Sequence, residues 1–310
     1  MKMLSMRLFI ATTLRQQWEQ KWLNTVPKKK YRKLWKCLEN STKNTLELLL
    51  IYMAVFSFRT MMKSRYKMKL KCLGSGSSGN CYLLTADNGE TLLLDAGLPI
   101  MDIKRGLNWN IKCVVGAICT HAHKDHSLSV SDLEHMGIPV FKPYESLEPM
   151  EICFTGGKIM AFDLTTLDGK WTHTNADGSE CPCYGFLITH PEMGKLLYVT
   201  DTEFVKWRFH EVNHILISCN YQKKYITEDS NDAKKSHVYR GHMELETVKE
   251  FVIANKSDAL QNVILCHLSR DNSDADECVA EVKKIAPLAN VDYAAAGKEW
   301  ILQNGKECPF

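Results

Sequence analysis

No part of the 310-residue sequence is apolar for long enough to cross a bilayer, since the run from Leu48 to Phe58 falls short of the roughly 20 residues a helical span needs. The opening MKMLSMRLFI has neither the apolar core nor the small-residue cleavage site of a secretory signal. The 12 cysteines are therefore expected as reduced thiols in a cytoplasm. Cys181-Pro182-Cys183 has no second cysteine pair, which favours buried or loop thiols over a metal knuckle. No internal repeat is evident. The glycine-rich loop GSGSSGN is not a Walker phosphate loop.

Strong net charge is also missing, but the total of +3 conceals a division. Residues 1 to 67 hold 15 Lys/Arg against three Asp/Glu, a net of +12; residues 68 to 310 hold the remaining 24 against 33, a net of −9. A globally basic nucleic-acid surface is thus excluded from the larger part. Residues 1 to 67 carry two helix-like patterns, Leu14 to Leu23 and Tyr31 to Phe58, separated by the basic break Val26-Pro27-Lys28-Lys29-Lys30. At Met68 the pattern changes to strands, so 1–67 reads as a basic extension and 68–310 as the folded domain. The extension is either an electrostatic arm for nucleic acid or the product of a start codon assigned too early.

What the sequence does contain is HAHKDH, with His121, His123, Asp125 and His126 packed into six residues directly after the apolar run Val114 to Cys119. That run reads as a buried strand, which puts the cluster on the loop at its C-terminal end. A chance H-x-H-x-D-H is on the order of one in ten thousand for a chain of this length. Three imidazoles and a carboxylate in one loop suit two adjacent divalent ions. The alternate residues His121 and His123 can reach one ion, and Asp125 and His126 turn toward a second.

Around this centre the domain reads as mixed strands and helices, an α/β (α+β) class. Strands are expected at MKLKCL from Met68, Cys81 to Thr85, Thr91 to Asp95, Val114 to Cys119, Ile138 to Phe141, Ile215 to Cys219 and Val263 to His267. Tyr184 to Thr189 and Lys195 to Thr200 form a hairpin. Helices are expected near Ile100 to Leu107, Val130 to Met136, Leu245 to Ala254 and Ala275 to Ile285. Residues 145 to 172 give no clear pattern and read as short strands and loops.

Two ions need further ligands. Asp201 ends the strand pattern LLYVTD and His267 ends VILCH, both at strand C-terminal edges where sites in sheet proteins collect. A third histidine is either His173 or His190. His190 lies at the far turn of the hairpin, whereas His173 precedes it and can loop back toward Asp201, so the geometry favours His173.

HAHKDH followed by His173, Asp201 and His267 resembles the metallo-β-lactamase superfamily. KCLGSGSSGNCYLL, LLLDAGL, RGHMELET and CHLSRDNSD resemble its nuclease-like YycJ/WalJ-type branch, over residues 68 to about 302. The resemblance implies an αββα four-layer sandwich, two mixed β-sheets flanked by helices, with two divalent ions, zinc or alternatively manganese, at one edge. It assigns His121, His123, His173 and Asp201 to the first ion and Asp125, His126, Asp201 and His267 to the second. Asp95 would orient a ligand histidine, and His242, between the last two metal motifs, would give a proton to the leaving oxygen, unless it only caps the helix after it. Two positions depart from the family's motifs: Ser129 stands where a glycine is frequent, and Thr174 follows His173 where an aspartate is frequent.

The implied activity is hydrolysis of phosphodiester bonds in DNA or RNA by a metal-bridging hydroxide, with Asp125 and His242 as catalytic groups. GSGSSGN is either a tight turn or a nest in which backbone N–H groups, the Ser75, Ser77 and Ser78 hydroxyls and Asn80 accept a phosphate. The acidic balance of the domain instead fits a small substrate such as a cyclic phosphodiester, lactone, thioester or lactam.

Overall fold

The computed structural model describes residues 67–148, 152–175, 177–226 and 241–305. The helix-like patterns at 14–23 and 31–58, and the extension up to residue 66, lie outside the described residues.

Among the described residues, twelve strands form two six-stranded sheets. The first runs β12-β1-β2-β3-β4-β5, from β1 (Met68–Gly74), β2 (Cys81–Thr85), β3 (Thr91–Leu94), β4 (Val114–Ile118), β5 (Val140–Phe141) and β12 (Glu299–Leu302). The second runs β11-β10-β9-β8-β7-β6, from β6 (Lys158–Asp163), β7 (Tyr184–His190), β8 (Gly194–Val199), β9 (His214–Ser218), β10 (Asn262–Cys266) and β11 (Asn290–Tyr293). Both sheets are mixed: β3-β4-β5 and β8-β9-β10-β11 are parallel, and the other pairings are antiparallel. Helices α1 (Ile100–Gly106), α2 (Lys124–Ser127), α3 (Val130–His135), α4 (Leu245–Asn255) and α5 (Ala275–Ile285) complete the domain.

The apolar side chains fall into three layers, which is the signature of four stacked layers of structure. Strand alternation sorts them. Tyr82, Leu84, Leu196, Tyr198, Leu216 and Ile264 point between the sheets into one cluster. Cys81 and Leu83 point outward onto Ile103 of α1 and Leu133 of α3. Leu197, Val199, Ile215, Ile217, Val263 and Leu265 point outward from the second sheet onto Val248 and Val252 of α4 and Cys278 and Val282 of α5. The αββα sandwich expected from the sequence is therefore the observed fold.

Two strands, β11 and β12, escape the sequence reading, and β6 falls in the stretch read only as short strands and loops. Strand β6 lies at a sheet edge and leaves Lys158 and Met160 in solvent, so its pattern is weakly apolar. Strands β11 and β12 are four residues each and half-exposed. The motif loop also differs from expectation: Lys124–Ser127 closes one helical turn within HAHKDH. Among the described residues no helix is long and apolar enough to cross a membrane.

The parallel strands matter for function because their C-terminal ends share one edge. Asp95 follows β3, Thr120 and His121 follow β4, Asp201 follows β8, Asn220 follows β9 and His267 follows β10. The two sheets are tied together at this edge. Tyr198 Oη of the second sheet donates to Asp95 Oδ2 at 2.5 Å, and His267 N donates to Ser75 Oγ at 2.9 Å.

Candidate metal centre

The chain leaves its strands abruptly at the site. Asp95, Asp201 and His267 have φ of 57°, 48° and 51°, a left-handed conformation uncommon for residues other than glycine. This turn swings each side chain from the sheet end toward the seam between the sheets. Gly97 is required by a close approach: a Cβ there would stand 1.7 Å from Asp125 O and 2.7 Å from His126 N. The loop after β3 thereby lies directly against α2 and its two site residues.

Two groups of potential ligands result, His121–His123–His173 and Asp125–His126–Asp201–His267, with the ligand atoms of each group within 4.8 Å of one another. Asp201 joins them. Its Oδ2 is 2.8 Å from His126 Nε2 and 3.5 Å from His121 Nε2, and its Oδ1 is 3.5 Å from His267 Nε2. Asp125 Oδ2 is 3.4 Å from His126 Nε2 and 3.5 Å from His267 Nε2. In the other group His123 Nδ1 and His173 Nε2 are 2.9 Å apart. Seven residues that the sequence proposes as ligands are thus brought together. His190 is not among them: it sits at the hairpin turn, where Nε2 is 3.0 Å from Thr155 O.

The donor set suits a divalent cation. His121 Nε2 and His267 Nε2 are buried without a hydrogen-bond partner, an arrangement a metal would satisfy. Burial keeps the His121 imidazole well below the usual histidine range and holds His173 at about 4, so both rings present lone pairs at neutral pH. Burial opposes ionisation of Asp201 and Asp125. His267 and His126 nevertheless hold Asp201 well below the usual carboxylate range, and His126 and His267 do the same for Asp125. Burial would lower His126 as well, but Asp95 and Asp201 hold it well above the usual range. Carboxylates enclosed in this way attract positive charge.

Asp95 lies under this arrangement. Its Oδ2 is 2.6 Å from His126 Nδ1 and its Oδ1 accepts from Thr120 N at 2.8 Å, which turns His126 Nε2 toward Asp125 and Asp201. Asn220 Nδ2 donates to His267 O at 3.0 Å and lies 3.1 Å from His267 Nδ1.

His242 stands beside Asp201 and His267. Its Nδ1 is 3.5 Å from Asp201 Oδ1, and its ring stacks on His267 at a centroid distance of 5.6 Å. It does not cap α4, because Glu244 does so, accepting from Glu246 N at 2.7 Å.

The glycine-serine loop divides in its behaviour. Asn80 Oδ1 accepts from Gly76 N at 2.8 Å while its Nδ2 donates to Gly76 O at 3.0 Å and approaches His126 Nε2 at 2.9 Å. Ser75 Oγ accepts from Tyr82 Oη at 2.9 Å as well as from His267 N. Both side chains are committed to holding the loop, and only Ser77 and Ser78 are exposed. Ser129 ties the start of α3 to the loop after β3, with Oγ donating to Leu98 O at 2.6 Å. Cys181 and Cys183 are free and buried in the outer core of the second sheet. The Cys181 thiol is lowered to about 5 by Cys183 and, against burial, by His123.

Thr120, Asn175, Tyr198 and Asn220 support the site but escape sequence reasoning, because no spacing rule marks a neutral residue that holds a ligand. For Asn175 one signal was available: the Asp177-Gly178 pair two residues later announces a tight turn.

Residues 74–137 match the family model of the metallo-beta-lactamase superfamily. No curated protein matches the chain in sequence. In fold, the chain is similar to the metallo-beta-lactamase fold protein YhfI from Bacillus subtilis, at 16% identity and a TM-score of 0.52 over 76% of this chain and 99% of that one. It is similar in the same degree to Igni18, a metallo hydrolase from Ignicoccus hospitalis, at 15% identity and a TM-score of 0.52 over 76% and 99% of the two chains. Human tRNase Z, short form, aligns at 13% identity over 75% of this chain and 98% of that one, with a TM-score of 0.47. The described domain has the metallo-β-lactamase fold, and residues 74–137 within it match the model of that superfamily.

Proposed function

We propose that the protein is a dinuclear metal-dependent hydrolase acting on phosphodiester bonds of DNA or RNA. The observation that carries the metal-dependent part is Asp201, whose Oδ2 contacts His121 of one ligand group at 3.5 Å and His126 of the other at 2.8 Å. His121, His123, His173 and Asp201 would hold one ion, and Asp125, His126, Asp201 and His267 the other. Bound divalent ions would supply Lewis acidity, activating water and stabilising the negative charge that develops on the phosphoryl oxygens.

The remaining work falls to the chain itself. His242, within 3.5 Å of Asp201 and partly exposed, is placed to hand a proton to the leaving oxygen. Ser77 and Ser78, exposed on the loop that Asn80 fixes beside His126, offer hydroxyls to a phosphate. The +12 charge of residues 1–67 supports a polyanionic substrate, since it would attract one to a domain of net −9.

That same −9 favours a second reading, a small substrate such as a cyclic phosphodiester, lactone, thioester or lactam. One experiment separates the two. The purified full chain is offered 5′-labelled DNA and RNA, a nitrophenyl phosphodiester, a cephalosporin and a glutathione thioester, with bound metal counted alongside. The phosphodiesterase reading expects about two ions per chain and cleavage of the phosphodiesters alone. Asp201→Ala is expected to lose at least one ion. Full metal content in that variant would refute the shared-carboxylate assignment, and turnover of the cephalosporin or thioester alone would favour the second reading.

A further inference from the structure

The segment between His173 and Cys183 folds back on itself. Asn175 N donates to Ser179 O at 2.8 Å, Gly178 N to Asn175 O at 2.9 Å and Cys181 N to His173 O at 2.9 Å, with a bridge between Thr174 and Glu180. At its tip the side chains form a chain of hydrogen bonds whose direction is fixed at one end. Asp177 Oδ1 can only accept, and Ser179 Oγ lies 2.6 Å from it, so the serine hydroxyl donates there. The serine oxygen is then left to accept, and Asn175 Nδ2 donates to it at 3.0 Å and to Glu180 O at 3.2 Å. With both amide hydrogens so directed, Asn175 presents its carbonyl oxygen to His123 Nε2 at 3.1 Å.

A carbonyl oxygen cannot donate, so His123 must carry its hydrogen on Nε2. In the neutral ring the lone pair is then on Nδ1, which faces the cluster 2.9 Å from His173 Nε2. We infer that Asn175 is a positioning residue that locks His123 in the Nε2–H tautomer, so that Nδ1 is the metal-facing atom of this ring. The inference rests on the proposed role of His121, His123 and His173 in holding an ion. Asn175 touches neither ion nor substrate; it acts through His123, and Ser179 and Asp177 act through Asn175. With that acceptor removed, the half-buried ring keeps its contact with the Cys181 thiol but has no carbonyl to hold its hydrogen on Nε2, and it divides between two tautomers, only one of which can ligate through Nδ1.

Long-range proton–nitrogen NMR on the full chain labelled with 15N-histidine reads the tautomer of each ring at about pH 8, before and after zinc is added. The wild-type His123 is expected as Nε2–H in both states, with Nδ1 shifting on zinc addition. Asn175→Leu should give mixed tautomers at His123 and about tenfold weaker binding of one zinc by chelator competition. Asn175→Asp, which keeps an acceptor, should restore the Nε2–H ring, and Ser179→Ala, which leaves His123 untouched, should fall between. An Nδ1–H ring in the wild type, or an unchanged tautomer in both Asn175→Leu and Ser179→Ala, would overturn the inference. An Nε2–H ring that ignores zinc would uphold the locking while removing the metal role of His123, so the two failures are distinct.

Discussion

Asp95 Oδ2 and His126 Nδ1 lie 2.6 Å apart, both side chains fully buried. Removing the carboxylate would leave the ring without its acceptor and would strand Thr120 N and Tyr198 Oη, which also donate to Asp95. Asp95→Ala should therefore weaken binding of the ion proposed for Asp125, His126, Asp201 and His267 by roughly ten- to a hundredfold, with a smaller effect on the other proposed ion. It should also lower the denaturation midpoint, because buried donors lose their partner. Chelator competition reads the first effect and urea unfolding the second; wild-type affinity for both ions would show that Asp95 is structural only.

His242 is expected to matter in proportion to how poor the leaving group is. His242→Ala should reduce cleavage of DNA or RNA by roughly a hundredfold or more while metal content stays intact. A nitrophenyl phosphodiester, whose leaving group needs no proton, should largely escape. Equal losses on both substrates would mean that His242 shapes the pocket and does not donate.

The pH dependence of stability has a source away from the site. His214 is fully buried at the start of β9, where Nε2 is 3.0 Å from Met193 O and Nδ1 is 2.9 Å from Asn262 Nδ2. Burial holds this imidazole at about 4, below the roughly 6.5 of an unfolded chain. A group held lower in the folded state contributes stability that is full above the unfolded value and is lost as pH falls from about 6.5 toward 4. The wild-type urea midpoint should decline across that window. His214→Gln should start from a lower midpoint but decline less between pH 6.5 and 5, before most carboxylates titrate. Parallel curves for the two proteins would rule His214 out as a contributor.

Much of the site could be read from the sequence because metal ligands are few in type and fixed in spacing. HAHKDH is contiguous, and Asp201 and His267 each end an apolar strand run that alternation and length make visible. Choosing His173 over His190 needed only hairpin geometry. What could not be read was whatever depends on how loops meet. Ser75 and Asn80 have the composition of a phosphate nest, yet Asn80 spends its amide on Gly76 and Ser75 receives Tyr82 and His267. The bounds of strand β6 could not be read because an edge strand with a solvated face does not alternate cleanly.

The contact at Gly97 bears on how this site can change. With 1.7 Å between a would-be Cβ and the Asp125 carbonyl, even alanine at position 97 must push α2 and carry Asp125 and His126 with it. That half of the centre has no slack: its spacing is set by backbone against backbone, which repacking of side chains cannot relax. On the side of His123, by contrast, the 173–183 hairpin meets the cluster through a side-chain hydrogen bond that single substitutions can lengthen, shorten or remove.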